Sequence, residues 1–94
     1  MACGVSDRAS TIDGLKGDVT SGQSLYQRDC VACHGDKGQG TASGKTLIDD
    51  HAKDHSDGEL ADTIIDGNGD MPSFGNQYTD QEISDVLAYI RTLQ

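Results

Sequence analysis

The stretch D-C-V-A-C-H-G at residues 29–35 decides how this chain is read. It sets Cys30, Cys33 and His34 in the C-x-x-C-H order that attaches a c-type haem. Two thiols three positions apart lie roughly one helical turn apart, so each can bond one vinyl group of the macrocycle while the next residue reaches the iron from the same side. A thioredoxin-type redox pair uses the same cysteine spacing but belongs beside a βαβ pattern, and no segment here alternates apolar and polar residues as a strand would. Cys30 and Cys33 are therefore read as the covalent attachments, and His34 as an axial iron ligand.

A haem iron that passes electrons rather than binding small molecules needs a sixth ligand. The run G-N-G-D-M-P-S-F at 67–74 offers Met71, and the only other methionine is Met1. A soft thioether opposite an imidazole favours the reduced ion and so raises the potential. The alternative to Met71 is a haem sensor or peroxidase-like protein with an open sixth position. A zinc-binding module is a further alternative, because Cys30-x2-Cys33 followed by His51-x3-His55 spells a Cys2His2 set. Seventeen residues separate Cys33 from His51, however, against roughly 12 to 15 in fingers of that type. His51 and His55 also stand among Asp49, Asp50, Lys53, Asp54 and Asp57, which reads as a solvated face.

Length and composition support a cofactor inside the fold. Ninety-four residues make one small domain. With 34% hydrophobic residues, 4% aromatics, no Trp and a single Phe, a core of protein alone would be thin at this size. The net charge of −9, from 7 Lys+Arg against 16 Asp+Glu, excludes nucleic-acid binding, which needs the opposite sign. No run of about 18 apolar residues suggests a membrane span, and the N-terminus lacks the charged-then-apolar pattern of a signal peptide.

The local patterns predict an all-α fold. Thr20 with Gln23 reads as a capping box opening a helix over 22–33. Ser56 with Glu59 opens a second helix, carrying Leu60, Ala61, Ile64 and Ile65 and stopped by Gly67. Thr79 with Glu82 opens a third, on which Ile83, Val86, Leu87, Ile90 and Leu93 form a stripe to the C-terminus. Glycines at 35, 38, 40 and 44 mark a loop between the first two. Residues 1–19 show no period and are expected to be a flexible tail ahead of a domain spanning 20–94.

On these residues the chain resembles a small bacterial class I cytochrome c over about 20–94. The resemblance is carried by Gly22 and Tyr26, C-V-A-C-H at 30–34, Leu47, Met71-Pro72 with Phe74, and L-A-Y-I-R at 87–91. It implies three to four helices wrapped around one covalent haem c, with Leu47 and Phe74 packing on it and His34 and Met71 as axial ligands. It also implies that Gly22 and Tyr26 cross the last helix beside Tyr89 and Leu87, glycine allowing the close approach. The family usually has a proline in the loop after the haem motif whose carbonyl orients the His ligand, and G-K-T-L at 44–47 has none. The function implied is that of a one-electron carrier, not an enzyme, in a periplasmic or other extracytoplasmic chain.

Two features bear on partners. Between 46 and 70 eight acidic residues stand against Lys53 alone, which predicts redox partner proteins that dock through a basic patch. Cys3 is the odd third cysteine: M-A-C-G before a loose segment resembles the acylated cysteine of a bacterial lipoprotein, which would tether the chain to a membrane, and a plain surface cysteine or an intermolecular disulfide is the alternative reading.

Overall fold

The computed structural model describes residues 6–41, 46–67 and 72–94, without the side chains of 32, 33 and 51. Its elements are α1 (Asp7–Asp13), α2 (Val19–Asp29), α3 (Val31–His34), α4 (Asp50–Asp54), α5 (Asp57–Asp66) and α6 (Asp80–Leu93). No strand occurs among the described residues beyond a single bridge position at Thr41.

The crossing of α2 and α6 frames the molecule. α6 starts on the expected box, Thr79 accepting from the Glu82 amide while Glu82 reaches back to the Thr79 amide. Its stripe puts Ile83, Val86, Leu87 and Ile90 in the core. Gly22 faces α6 so closely that a Cβ there would lie 1.8 Å from the Asp85 carbonyl oxygen. One turn further along α2, Tyr26 is wholly buried with its ring centroid 5.3 Å from that of Tyr89. The expected crossing is thus present, although Gly22 meets the backbone of Asp85 and Val86 rather than Tyr89 and Leu87.

α2 begins earlier than its sequence pattern suggested. Asp18, not Thr20, is the cap: its carboxylate accepts from the Thr20 amide at 3.0 Å. The Asp18 amide in turn donates to buried Asp85 at 2.7 Å, a long-range bond that fixes the helix start and that no local box competes with. The helix expected over 22–33 also breaks at Cys30, whose φ of −115° and ψ of −28° join α2 to the short α3.

Residues 6–19 are not a tail. Ser6 caps α1, and Ala9 and Ile12 are buried against α5 and α6. Two apolar residues in a seven-residue helix are too few to show a period, and so short a helix is unstable alone. Polar anchors from distant sequence hold it instead. Ser6 donates to both Asp62 carboxylate oxygens, at 2.9 and 2.6 Å. Arg8 donates to Asp80, to the Gly75 carbonyl and to the Tyr78 carbonyl. α5 keeps its Ser56/Glu59 box, with Glu59 held below the usual carboxylate range by the Ser56 amide. The histidine-rich segment expected as a solvated face contains α4, capped by Asp49 and buried through Ala52.

Candidate haem site

A cleft of about 540 Å³, partly open to solvent, lies between α3, α5 and α6. Val86, Leu87 and Ile90 of α6 form its floor, while Leu60, Thr63 and Ile64 of α5 form a wall. Cys30 and His34 also line it, four residues apart along one helical turn, with the His34 amide donating to the Cys30 carbonyl at 2.9 Å. Leu47, Ala52 and Gln94 complete the lining.

The C-x-x-C-H segment is braced at both ends. At its end, the Tyr26 hydroxyl donates to the carbonyl of Gly35 at 2.6 Å. Burial, with smaller contributions from Cys30 and Tyr89, pushes that hydroxyl up to about 12. At its start, the Tyr78 hydroxyl donates to the Asp29 carboxylate. Arg28 pairs with the same carboxylate at 2.9 Å while standing 5.9 Å over the Tyr78 ring. The Tyr78 hydrogen bond first, and Arg28 second, hold Asp29 below its ordinary carboxylate range. Burial and then the Asp29 hydrogen bond push the Tyr78 hydroxyl up.

After His34 the chain turns through Gly35 and Gly38, at φ +84° and +75°, a region that L side chains avoid. The Gly40 amide donates to the His34 carbonyl at 2.8 Å, and the Leu47 amide to the Gly38 carbonyl at 2.6 Å. That second bond sets Leu47 on the cleft lining. Phe74 packs on Tyr78 with ring centroids 5.5 Å apart and is not among the residues that line the cleft. Met71, the Cys33 and His51 side chains and Cys3 lie outside the described residues. His55 sits at the end of α4, its Nδ1 3.7 Å from Glu59, away from the wall that Cys30 and His34 share. Among the described residues no group of three or more His, Cys, Asp or Glu is arranged to hold a metal ion.

The donor set suits a haem: an apolar cleft lined by one thiol and one imidazole together with aliphatic side chains that would cover a flat macrocycle. Comparison with known proteins agrees. Residues 17–90 match the family described as "Cytochrome C oxidase, cbb3-type, subunit III". The chain belongs to this family of c-type cytochromes. Cytochrome c6 of Picosynechococcus sp. is 31% identical over 83 residues, covering 78% of this cytochrome and 71% of that protein. Cytochrome c6 of Bryopsis maxima is 30% identical, with 79% and 90% covered. Among solved structures, cytochrome cL from Hyphomicrobium denitrificans has a TM-score of 0.69 at 28% identity, covering 92% of this chain and 51% of that one. Cytochrome c6 from the diatom Phaeodactylum tricornutum has a TM-score of 0.69 at 28% identity, covering 81% and 93%. The cytochrome spans about half the length of the cL structures it matches. It has the all-α class I fold, and its family comprises monohaem electron-transfer proteins carrying one covalent haem c.

Sequence reasoning missed Tyr78 and Asp29. The signal available was weak, a tyrosine in the box-opening run Y-T-D-Q-E and an acid just before Cys30. It also missed Ala52, Thr63 and Gln94 as lining.

Proposed function

We propose that this cytochrome is a one-electron carrier in an extracytoplasmic chain, with Cys30 and Cys33 as thioether attachments and His34 and Met71 as the axial ligands. The observation that carries this is the apolar cleft that Cys30 and His34 both line, with Tyr26 and Asp29 fixing the backbone on either side. Held by these residues, a haem would supply a centre that accepts and returns one electron. The protein's own contribution is to hold His34 in one orientation, to exclude water with Leu60, Ile64, Val86, Leu87 and Ile90, and to keep the cleft dry in both oxidation states. In this reading the chain carries out no catalysis itself.

Partners in this reading are redox proteins with a basic docking patch. Asp49, Asp50, Asp54, Glu59 and Asp66 are exposed along α4 and α5, on the elements that line the cleft. Such charge mainly raises the encounter rate of small, short-lived complexes. No helix among the described residues is long and apolar enough to cross a membrane, and attachment in this reading goes through an acylated Cys3. A potentiometric titration of the purified cytochrome, followed by carbon monoxide, tests the function. One reversible one-electron wave and a reduced spectrum unmoved by carbon monoxide support it. A reduced form that binds carbon monoxide would instead mark an open-site sensor or peroxidase-like protein.

A further inference from the structure

The N-terminal helix reaches the haem-attachment segment through a continuous chain of hydrogen bonds. Arg8 bonds one turn through all three guanidinium nitrogens: Nε on Asp80 Oδ1 at 2.6 Å, Nη1 on the Gly75 carbonyl at 2.6 Å and Nη2 on the Tyr78 carbonyl at 2.8 Å. That turn is otherwise tied to the end of α5, through the Phe74 and Gly75 amides on the carbonyls of Ile64 and Ile65. Tyr78, with its main chain gripped by Arg8, is buried and sends its hydroxyl inward to Asp29, the residue before Cys30. The residues matched by the family begin at 17, so this grip comes from a segment outside that match.

We infer that Arg8 is a positioning residue of the haem site, acting through the 75–80 turn and the Tyr78–Asp29 hydrogen bond on the segment that begins at Cys30. The inference rests on the assignment of Cys30, Cys33 and His34 as haem-binding residues. Its physics is that of a carboxylate on the residue before Cys30, whose field would act on an iron whose charge changes by one. The Tyr78 hydroxyl draws negative charge from Asp29 and fixes where the carboxylate lies. When that bond loosens, Asp29 favours the oxidised form more strongly and the potential falls. A guanidinium holds three acceptors in a fixed plane, which an ammonium does not, so geometry as well as charge is at stake.

Midpoint potentials of the haem-loaded chain test this, with unfolding followed in parallel. Arg8→Gln and Tyr78→Phe should each lower the potential, and Arg8→Gln should add nothing in the Tyr78→Phe background. Arg8→Lys, which keeps the charge but not the fork, should behave as Arg8→Gln. Additive shifts, or a wild-type potential in Arg8→Lys, would mean that Arg8 acts only by its own charge and would overturn the inference. So would an Arg8→Gln protein that melts earlier at an unchanged potential, since α1 would then be a structural strap alone. Tyr78→Phe removes one hydroxyl and keeps the comparison open if the Arg8 variants fold poorly. Failure of the underlying assignment is distinguishable: the wild-type chain would then carry no covalent haem by mass.

Discussion

Replacing Gly22 by alanine sets two opposed effects against each other at the α2–α6 crossing. In a helix interior alanine is favoured over glycine by about 1 kcal/mol, so propensity alone makes Gly22→Ala stabilising. The structure says otherwise. The new Cβ would stand 1.8 Å from the Asp85 carbonyl oxygen, 2.5 Å from its carbon and 3.0 Å from the Val86 nitrogen, all main-chain atoms of a packed helix. Restoring ordinary spacing requires α2 to retreat by about 1.5 Å. That retreat strains the Asp18–Asp85 bond, the Tyr26–Tyr89 contact and the Tyr26 grip on Gly35. Overpacking of this kind costs roughly 1–3 kcal/mol, and a lost buried hydrogen bond adds about 1. Set against the propensity gain, the net loss is then about 1–3 kcal/mol, or a fall in Tm on the order of 5–20 °C for a domain this small. Gly14→Ala is the control, because Gly14 is in the right-handed region with its nearest neighbour, the Thr11 carbonyl oxygen, at 3.5 Å. It should change stability by no more than about 0.5 kcal/mol. Chemical and thermal unfolding of both variants, followed by far-ultraviolet circular dichroism, decides the matter. A Gly22→Ala protein as stable as wild type, or stabilised, would refute the close crossing.

Three further outcomes are expected. Met71→Ala should leave the haem attached, lower its potential and let the reduced form bind carbon monoxide; an unchanged spectrum and potential would show that another group holds the iron. An unfolded tyrosine ionises near about pH 10, whereas the folded Tyr26 hydroxyl stays neutral up to about 12, so stability should be complete below pH ~10 and fall as pH rises toward 12. Each unit is about 1.4 kcal/mol, which puts the loss from Tyr26 on the order of 3 kcal/mol, and Tyr26→Phe should flatten the slope of a denaturant midpoint against pH over that window. Electron transfer to a basic partner should slow as ionic strength rises, since exposed charges are screened over roughly 8–10 Å at physiological salt; Asp66→Asn should weaken that dependence, and a flat rate would place the docking surface elsewhere.

What could be read in advance was what is local. The α5 and α6 starts follow from boxes that close within three residues, and their buried faces follow from apolar stripes that also supply Leu60, Ile64, Val86, Leu87 and Ile90 to the cleft. The C-x-x-C-H segment is equally local, because its chemistry needs five consecutive positions. α1 and α4 were illegible, being seven and five residues long. α1 depends on partners 56 and 72 positions away, Asp62 for Ser6 and Asp80 for Arg8. The start of α2 went to Asp18 because Asp85, distant in sequence, grips its amide. Tyr78 escaped for the same reason, its acceptor Asp29 lying 49 residues earlier. The contact of the Phe74 ring with Tyr78, four residues on, is likewise not written in any local pattern.

The most direct test is the intact mass of the denatured chain, taken with its zinc content and its reduced visible spectrum. One haem retained through denaturation, lost only when both Cys30 and Cys33 are replaced by alanine, together with a sharp low-spin c-type spectrum, is the expected result. A colourless chain of unmodified mass carrying one zinc ion per molecule would contradict it and hand Cys30 and Cys33 to a metal site instead.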